Sequence, residues 1–499
     1  MYGIIRGRSA LWLARRPLAK RLFSSETRTD QMQFTYAITN TSRDAISSMM
    51  DDIASKSLSA NSSGHDAAVV LATPEFAKSF ENVGFMESLA SLLAGSGRPD
   101  KFHILGAIVD NIAPQLGSYN ILPGISVLRG HLDHMLPHLW QPEPPRSSED
   151  KDALSALSFS LGVPKVTLPL ARTTFQNNRT STLLASTFDL SGNGSRMENQ
   201  LERYTQEVFV SDSDLPQKMG DLGMWAPLVP VTPPRLVAAS FGNIVRGVEI
   251  DGQVIPASTE LEDAVNAFYG KRGNSAVNTG PVGIWALITP KSDSADAATS
   301  WLNGSPTSLS VDTSESSMQN LVRKTAKYLH KSHQRGAKLL QVLSGGGGWG
   351  AKKGLLSLDP QRTHFSLSEE EEMHRFTQSM SESTFAPTGC TIQFLMALDD
   401  VPDMPEYLPP SIVFGVPGTH QKSSTRPEKL FMGGHFGALS SKGIFVTAPN
   451  ERNGMDLPDE RKLSVPNSRL FIADDIDEQM GGFGKMPTFA EAGLMALLL

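Results

Sequence analysis

Residues 343 to 358 contain side chains and glycines that could bind a ligand. The stretch reads LSGGGGWGAKKGLLSL. The backbone N–H groups of a glycine-rich loop and nearby lysines can hold phosphate oxygens, and a tryptophan can stack on a base. The stretch therefore predicts a ligand- or phosphate-binding loop, and its candidate residues are Gly345, Gly346, Gly347, Gly348, Trp349, Lys352 and Lys353.

The spacing of this loop argues against a classical nucleotide site. Three of its glycines satisfy G-x-G-x-x-G, but that motif needs a helix to begin at the third glycine. Here Gly354 interrupts such a helix, and LLSL is typical of a strand. A P-loop needs a lysine directly after the last glycine, and Ala351 intervenes. We expect a glycine turn between two strands, with contact to phosphate or RNA left open.

The loop closes a segment of unusual charge. Residues 316 to 358 contain no Asp or Glu and eight Lys or Arg residues. A helix over about 315 to 334 would place Lys324, Lys327 and Lys331 on one face, opposite apolar side chains. That face predicts an RNA contact or, alternatively, a solvated surface packed against the protein's own acidic residues. The RNA-contact candidates are Arg323, Lys324, Lys327 and Lys331.

Three further positions have side chains that could take part in chemistry. His435 lies between glycines in FMGGHFGALSSKG, where it lines a pocket or sits in a tight turn. The histidines of RGHLDHMLPHLW have metal-ligand spacing, but Pro137 disrupts the helix that would align them, so no metal is predicted. Cys390 opens an apolar strand and is expected to be a small core residue. No complete catalytic set can be assembled, which argues against an enzyme, and no cofactor is predicted.

The first 25 residues are typical of a mitochondrial import presequence. They contain six Lys or Arg residues and no acid, and their apolar residues can share one helical face. The alternative is a basic amphipathic helix lying on a membrane. Import predicts a matrix protein that meets the mitochondrial import machinery. Removing these residues leaves 39 basic residues against 52 acids, so the formal charge falls from −7 to −13.

This charge and the amino-acid composition narrow the possible functions. A strongly acidic mature chain is not a general binder of polyanions, so any RNA contact must be local. The single cysteine in 499 residues excludes an internal disulfide. No run of about 18 apolar residues is present, which predicts a soluble protein without a membrane span.

The hydrophobic pattern indicates an α/β protein with mixed sheets and covering helices. AAVVLATP and KFHILGAIVD are typical of buried strands, and the amphipathic stretch between them predicts a β-α-β unit. Later strands are expected in KLLQVL, CTIQFLMAL, PPSIVFGVPG, GIFVTAP and RLFIADD. We predict two lobes, an α/β domain at 65–290 and a second α/β domain at 318–499, joined by a linker at 291–317.

The first lobe resembles the FIST domain, a ligand-binding sensory module. The resemblance rests on KFHILGAIVDNIAP, ALSALSFSLGVPKVTLPL and RGVEIDGQVIPASTELEDAVNAFY. It implies binding of an unknown small molecule without catalysis, and it carries over no site residues. The predicted function is a non-catalytic ligand-binding or sensory protein of the mitochondrial matrix. The alternative is a mitochondrial gene-expression factor that binds RNA or the mitoribosome through residues 323–353.

Overall fold

The computed structural model describes sixteen segments of the chain: 33–57, 64–95, 98–113, 122–143, 153–162, 164–192, 194–210, 222–272, 283–291, 305–306, 315–345, 354–360, 385–397, 412–418, 428–448 and 459–472. The predicted presequence and most of the glycine loop, residues 346–353, lie outside these residues. The α-helices are α1 (Arg43–Ser57), α2 (Ala77–Glu81), α3 (Val83–Ala94), α4 (Leu132–Met135), α5 (Thr174–Asn177), α6 (Ala257–Arg272) and α7 (Glu315–Gln334), and a 3-10 turn covers Pro74–Phe76.

The strands outnumber the helices, which confirms a mixed α/β class. They are β1 (Gln33–Ile38), β2 (Ala67–Ala72), β3 (Lys101–Ile108), β4 (Asn111–Ile112), β5 (Gly124–Gly130), β6 (Ala156–Ser160), β7 (Lys165–Pro169), β8 (Arg172–Thr173), β9 (Arg179–Ser181), β10 (Leu183–Asp189), β11 (Arg196–Glu202), β12 (Thr205–Phe209), β13 (Leu222–Trp225), β14 (Leu228–Pro230), β15 (Arg235–Phe241), β16 (Ile244–Ile250), β17 (Gln253–Pro256), β18 (Ile284–Thr289), β19 (Lys338–Gly345), β20 (Leu356–Leu358), β21 (Thr391–Ala397), β22 (Ile412–Gly415), β23 (Lys429–Gly433), β24 (Phe436–Leu439), β25 (Ile444–Ala448), β26 (Asp459–Leu463) and β27 (Arg469–Ile472).

A seven-stranded sheet contains the predicted β-α-β unit. Its order is β11-β10-β3-β2-β5-β1-β23, and β2 and β3 are parallel. Both strands have at most one exposed residue because helices cover one face and the other sheets cover the opposite face. The single helix expected between them is broken. The side chain of Asn82 accepts the N–H of Phe85 at 3.0 Å and starts α3 as a separate helix after α2.

An eight-stranded sheet closes into a barrel. Its order is β14-β21-β15-β16-β20-β19-β18, and β17 adds the eighth strand beside β16. Because β18 pairs again with β21, six antiparallel strands form a ring. An Asp-Gly turn joins β16 to β17, with Asp251 at φ 50° and Gly252 at φ 77°. The helix α6 begins at Ala257 and includes Ser258 and Thr259 in its first turn.

Two further antiparallel-rich sheets complete the fold. One has the order β12-β6-β7-β25-β26, and the other, which we name the β24 sheet, has the order β13-β27-β22-β24-β4. A single apolar core contacts all four large sheets, for example through Leu128, Leu157, Phe436 and Leu395. Strands from the two sides of the predicted linker at 291–317 pair directly, since β1 pairs with β23 and β18 with β19.

The basic segment folds as its pattern predicts. The helix α7 spans Glu315–Gln334, and Gly336 follows it at φ 95°, a left-handed conformation suited to a helix end. The strands β19 and β20 pair as an antiparallel hairpin across the glycine loop, which confirms the expected strand-to-strand connection. None of the helices in the described segments is long and apolar enough to cross a membrane.

Candidate functional site

A group of buried polar residues lies where the seven-stranded sheet meets the β24 sheet. The strand β23 ends at Gly433, and Gly434 adopts φ 70°, a left-handed value that lets the chain turn out of one sheet and into the next. His435 follows the turn, and β24 begins at Phe436. We name Gln33, Thr35, Ser126 and His435 the His435 cluster.

The alternation of side chains along β1 and β5 positions the other members of the cluster. Phe34 and Tyr36 pack in the core beneath the helices, so Gln33 and Thr35 point to the opposite face. Thr35 stands directly across from Ser126 in the pairing of β1 with β5. All four members of the cluster are at most 1% exposed.

Hydrogen bonds connect these residues in a chain. The Oγ1 of Thr35 lies 2.7 Å from Ser126 Oγ, 2.7 Å from His435 Nδ1 and 3.2 Å from the His435 carbonyl oxygen. Ser126 Oγ also accepts the N–H of Gly437 at 2.9 Å. The Nε2 of Gln33 donates to the carbonyl oxygen of Gly434 at 2.9 Å, and the backbone carbonyl oxygen of Gln33 accepts the Gly434 N–H.

The number of available hydrogens favours one state of the imidazole. Thr35 has one hydroxyl hydrogen, and a carbonyl oxygen can only accept, so all three contacts of Thr35 are satisfied together only when this hydrogen goes to His435 O. The two lone pairs of Thr35 then accept from Ser126 O–H and from Nδ1–H of His435. All contacts at Thr35 are satisfied in this arrangement, which leaves Nε2 of His435 as an unprotonated acceptor.

Two acceptors of this cluster are buried without a hydrogen-bond partner in the described part of the chain. They are His435 Nε2 and Gln33 Oε1. Burial lowers the pKa of His435 to about 4, so the imidazole is neutral at physiological pH. Buried polar atoms are nearly always hydrogen-bonded, so each of these unpaired atoms is a candidate contact for a water or a ligand.

The glycine loop gives little further information about this site. Gly345 is the last residue of β19. The other candidates, Gly346, Gly347, Gly348, Trp349, Lys352 and Lys353, lie outside the described residues. A phosphate-binding role for the loop therefore stays a prediction.

The RNA-contact candidates lie on a helix that is half buried in the core. Leu321 and Val322 of α7 are buried, while Lys324 and Lys331 are exposed and Arg323 and Lys327 are half-buried. This confirms the predicted amphipathic pattern. The end of the helix packs on β26, where Arg461 donates to the His333 carbonyl oxygen. Burial, together with repulsion from Arg461 and His330, lowers the pKa of His333 to about 3.

The histidines near α4 form a small cluster without metal-binding geometry. The helix α4 ends at Met135, two residues before Pro137, so the three histidines do not share a helical face. His131 instead faces His65, with ring centroids 5.2 Å apart, and its Nδ1 lies 3.9 Å from Asp66. No set of three His, Cys, Asp or Glu residues within the described segments is arranged to hold a metal ion.

Cys390 is a core residue in this structure. It is 3% exposed and packs in the apolar core of the barrel. Burial raises the pKa of its thiol to about 12, so the thiolate that a nucleophile needs does not form near neutral pH.

Comparison with known proteins adds no relatives. No family model, no curated protein and no solved structure matches the chain.

Proposed function

We propose that this protein binds a small molecule at the His435 cluster and acts as a non-catalytic ligand-binding or sensory protein. The observation that carries the proposal is the neutral imidazole of His435, fully covered, with Nε2 unpaired among the described residues. Leaving such an atom unsatisfied costs about 1–3 kcal/mol, which a bound partner recovers. The resemblance of residues 65–290 to a ligand-binding module also supports ligand binding by this protein.

Binding fits this cluster better than catalysis does. A hydroxyl 2.7 Å from an imidazole also occurs in nucleophile–base pairs. Such a pair needs a third group to orient the base. In the described residues no group hydrogen-bonds to Nε2. In the arrangement that satisfies every contact of Thr35, the hydroxyl accepts the imidazole proton and does not donate its own to the ring.

A thermal-shift screen tests the proposal. The wild-type protein is screened against a metabolite library beside His435→Gln and the matched control His134→Gln, since His134 is exposed. A ligand at 100 times its Kd stabilises the folded state by about 2.7 kcal/mol. We expect a hit whose shift disappears in His435→Gln and persists in the control. A library without hits, or hits that both variants retain, would refute the proposal.

We further propose that the protein works in the mitochondrial matrix. Support comes from the acid-free, arginine-rich first 25 residues. Isolated mitochondria should import the full chain and shorten it, and a chain starting at Glu26 should stay outside. Import of that shortened chain would contradict the location.

A second candidate function is contact with RNA or the mitoribosome through α7. Lys324 and Lys331 favour it because both are exposed and lie two turns apart on one face. Lys324→Glu/Lys331→Glu should abolish salt-sensitive co-sedimentation with mitoribosomes. The matched control Lys78→Glu/Arg246→Glu reverses two other exposed charges and should leave it intact. Equal loss in both variants would indicate only a net-charge effect.

A further inference from the structure

The two edges of the seven-stranded sheet differ in how well they are protected against pairing with another chain. The strand β11 lies at one edge and β23 at the other. An edge strand presents unpaired N–H and C=O groups, which proteins commonly protect with bulges, charged side chains or covering groups. These features are present at β11 and missing at β23.

The β11 edge is protected in three ways. A register shift, the mark of a β-bulge, interrupts its pairing with β10. The side chain of Glu87 accepts the N–H of Met197 at 3.0 Å, so a backbone group that β10 does not use is already bonded. Six of the seven residues of β11 are exposed, and three of these are charged: Arg196, Glu198 and Glu202. These features disfavour pairing of β11 with a further strand.

The β23 edge lacks this protection in the part of the chain that the structure describes. Its register with β1 continues along the whole strand without a shift. Leu430, Phe431 and Met432 form an apolar, half-buried middle. The one charged side chain, that of Lys429, turns back over its own sheet and binds Asp52 at 3.1 Å. An apolar edge of this kind is a template for a further strand.

Hydrogen bonds at both ends of β23 show which of its residues face the free edge. The N–H of Gly434 donates to the carbonyl oxygen of Gln33. The N–H of Thr39 donates to the carbonyl oxygen of Glu428. Bonded positions alternate along an antiparallel pair, so the even-numbered residues of β23 face β1. The residues that direct their N–H and C=O groups outward are Lys429, Phe431 and Gly433. Among the described residues, no group bonds to these outward atoms.

The sequence of β23, KLFMG, is complementary to itself about a two-fold axis. With the axis at Phe431, this residue stands opposite its own copy when two strands pair antiparallel. Leu430 then stands opposite Met432, so aliphatic side chains meet each other. Lys429 stands opposite Gly433, which has no side chain, so the lysine meets no second charge. An axis at an outward-facing residue also lets the free N–H and C=O groups of both copies bond.

The helix α1 stands over the same edge and supplies its other charges. The ammonium of Lys56 lies 5.3 Å from the centre of the Phe431 ring, and Asp52 binds the lysine of the edge strand. Pairing of two β23 strands separates β1 from its copy by three strand spacings, about 14 Å, so aromatic rings fit between the two α1 helices. The two Lys56 side chains approach each other near the axis, but both are exposed and solvent screens their repulsion. The helices add contact area that a strand pair alone lacks.

We propose that β23 is a dimer interface, at which a second copy of this chain continues the seven-stranded sheet by antiparallel pairing of β23 with β23. The outward groups of Lys429 bond to those of the partner's Gly433, and the two Phe431 residues bond to each other. The occupant of this edge is therefore the protein itself.

Sedimentation velocity of the full-length chain measures the association. The chain is 54.0 kDa, and we expect a species of twice this mass at micromolar concentration. Gly433→Pro removes an outward N–H that β1 does not use, so it should weaken the dimer at least about tenfold while the chain stays folded. Met432→Glu puts a carboxylate against the partner's Leu430 and should weaken the dimer as well. The matched control Leu201→Glu adds the same charge at an exposed apolar residue of the opposite edge and should stay dimeric.

A disulfide tests the register of the pairing. Hydrogen-bonded partners on antiparallel strands have Cα atoms about 5.5 Å apart, within reach of a disulfide. Phe431→Cys should therefore cross-link two chains under mild oxidation. Lys429→Cys is the matched control and should not cross-link, because in this register residue 429 lies about 14 Å from its own copy. The natural Cys390 is buried and does not compete.

The outcomes separate this interface from other arrangements. A wild-type chain that stays monomeric overturns the inference, since the edge is then covered in some other way. So does a dimer that both Gly433→Pro and Met432→Glu leave intact, since it uses another surface. If circular dichroism shows that one of these variants is unfolded, the other variant and the two cysteine variants decide. Cross-linking of Lys429→Cys without cross-linking of Phe431→Cys would contradict the two-fold axis at Phe431.

Discussion

His435 should make the stability of this protein depend on pH in a way that one substitution removes. Burial lowers the pKa of the folded-state imidazole to about 4, whereas in an unfolded chain it is about 6.5. Between these values the unfolded state binds more protons, so stability falls as the pH falls. The contribution of the neutral His435 imidazole to the free energy of unfolding is fully present above pH 6.5 and is lost by about pH 4. A difference of 2.5 pKa units corresponds to about 3 kcal/mol.

The assay is urea unfolding at several pH values between 8 and 4, followed by tryptophan fluorescence and by circular dichroism. Between pH 8 and pH 4 the free energy of unfolding of His435→Gln should fall by about 3 kcal/mol less than that of the wild type, because glutamine does not titrate. His333, whose pKa is lowered to about 3, contributes equally to both proteins and cancels in the comparison. His134→Gln should follow the wild type. Parallel pH profiles for wild type and His435→Gln would refute the buried neutral imidazole.

Three other predictions concern single residues. Thr35→Val should lower the free energy of unfolding by about 1–3 kcal/mol, because it removes the acceptor of His435 Nδ1–H, and Thr35→Ser should lower it by less. Equal losses for the two variants in urea titrations would contradict the role of this hydrogen bond. Gly437→Ala should cost about 1–3 kcal/mol in the same assay, because a Cβ there meets the Val413 carbonyl oxygen at 2.2 Å, and a neutral result would refute that contact. Burial raises the thiol pKa of Cys390 to about 12, so Cys390 should react with iodoacetamide at pH 7.5 only after the protein unfolds. Mass spectrometry measures the labelling, and labelling of the folded protein would contradict the burial of the thiol.

Local sequence patterns predicted those elements whose signals are complete within a short stretch. The helix expected over about 315 to 334 from its charged and apolar faces is confirmed as α7, and Gly336 follows its end in a left-handed conformation. The strands β19 and β20 were expected on each side of the glycines, and they pair with each other. The split between α2 and α3 was missed, because the capping of α3 by Asn82 interrupts an apolar period that looks continuous.

The candidate site could be predicted only in part, because it is assembled from distant residues. His435 was singled out because glycines flank it, and it does lie at a turn between two sheets. Thr35 and Ser126 gave no signal. Thr35 is 400 residues from His435 and 91 from Ser126, and nothing near β1 indicates which strand will pair with it. Sheet pairing over such separations depends on the whole core and leaves no local pattern.

The pairing of β1 with β23 determines when this protein can finish folding. A ribosome adds about 5–20 residues per second, so the 400 residues that separate Thr35 from His435 take about 20–80 s to synthesise. Throughout that interval β1 can pair with β5, but its other edge has no strand to bind. An unpaired strand edge can pair with other chains, so we expect the nascent protein to be prone to aggregation at β1 until β23 has been made. His435 follows the strand that closes this edge, so completing the sheet and assembling the His435 cluster are one event.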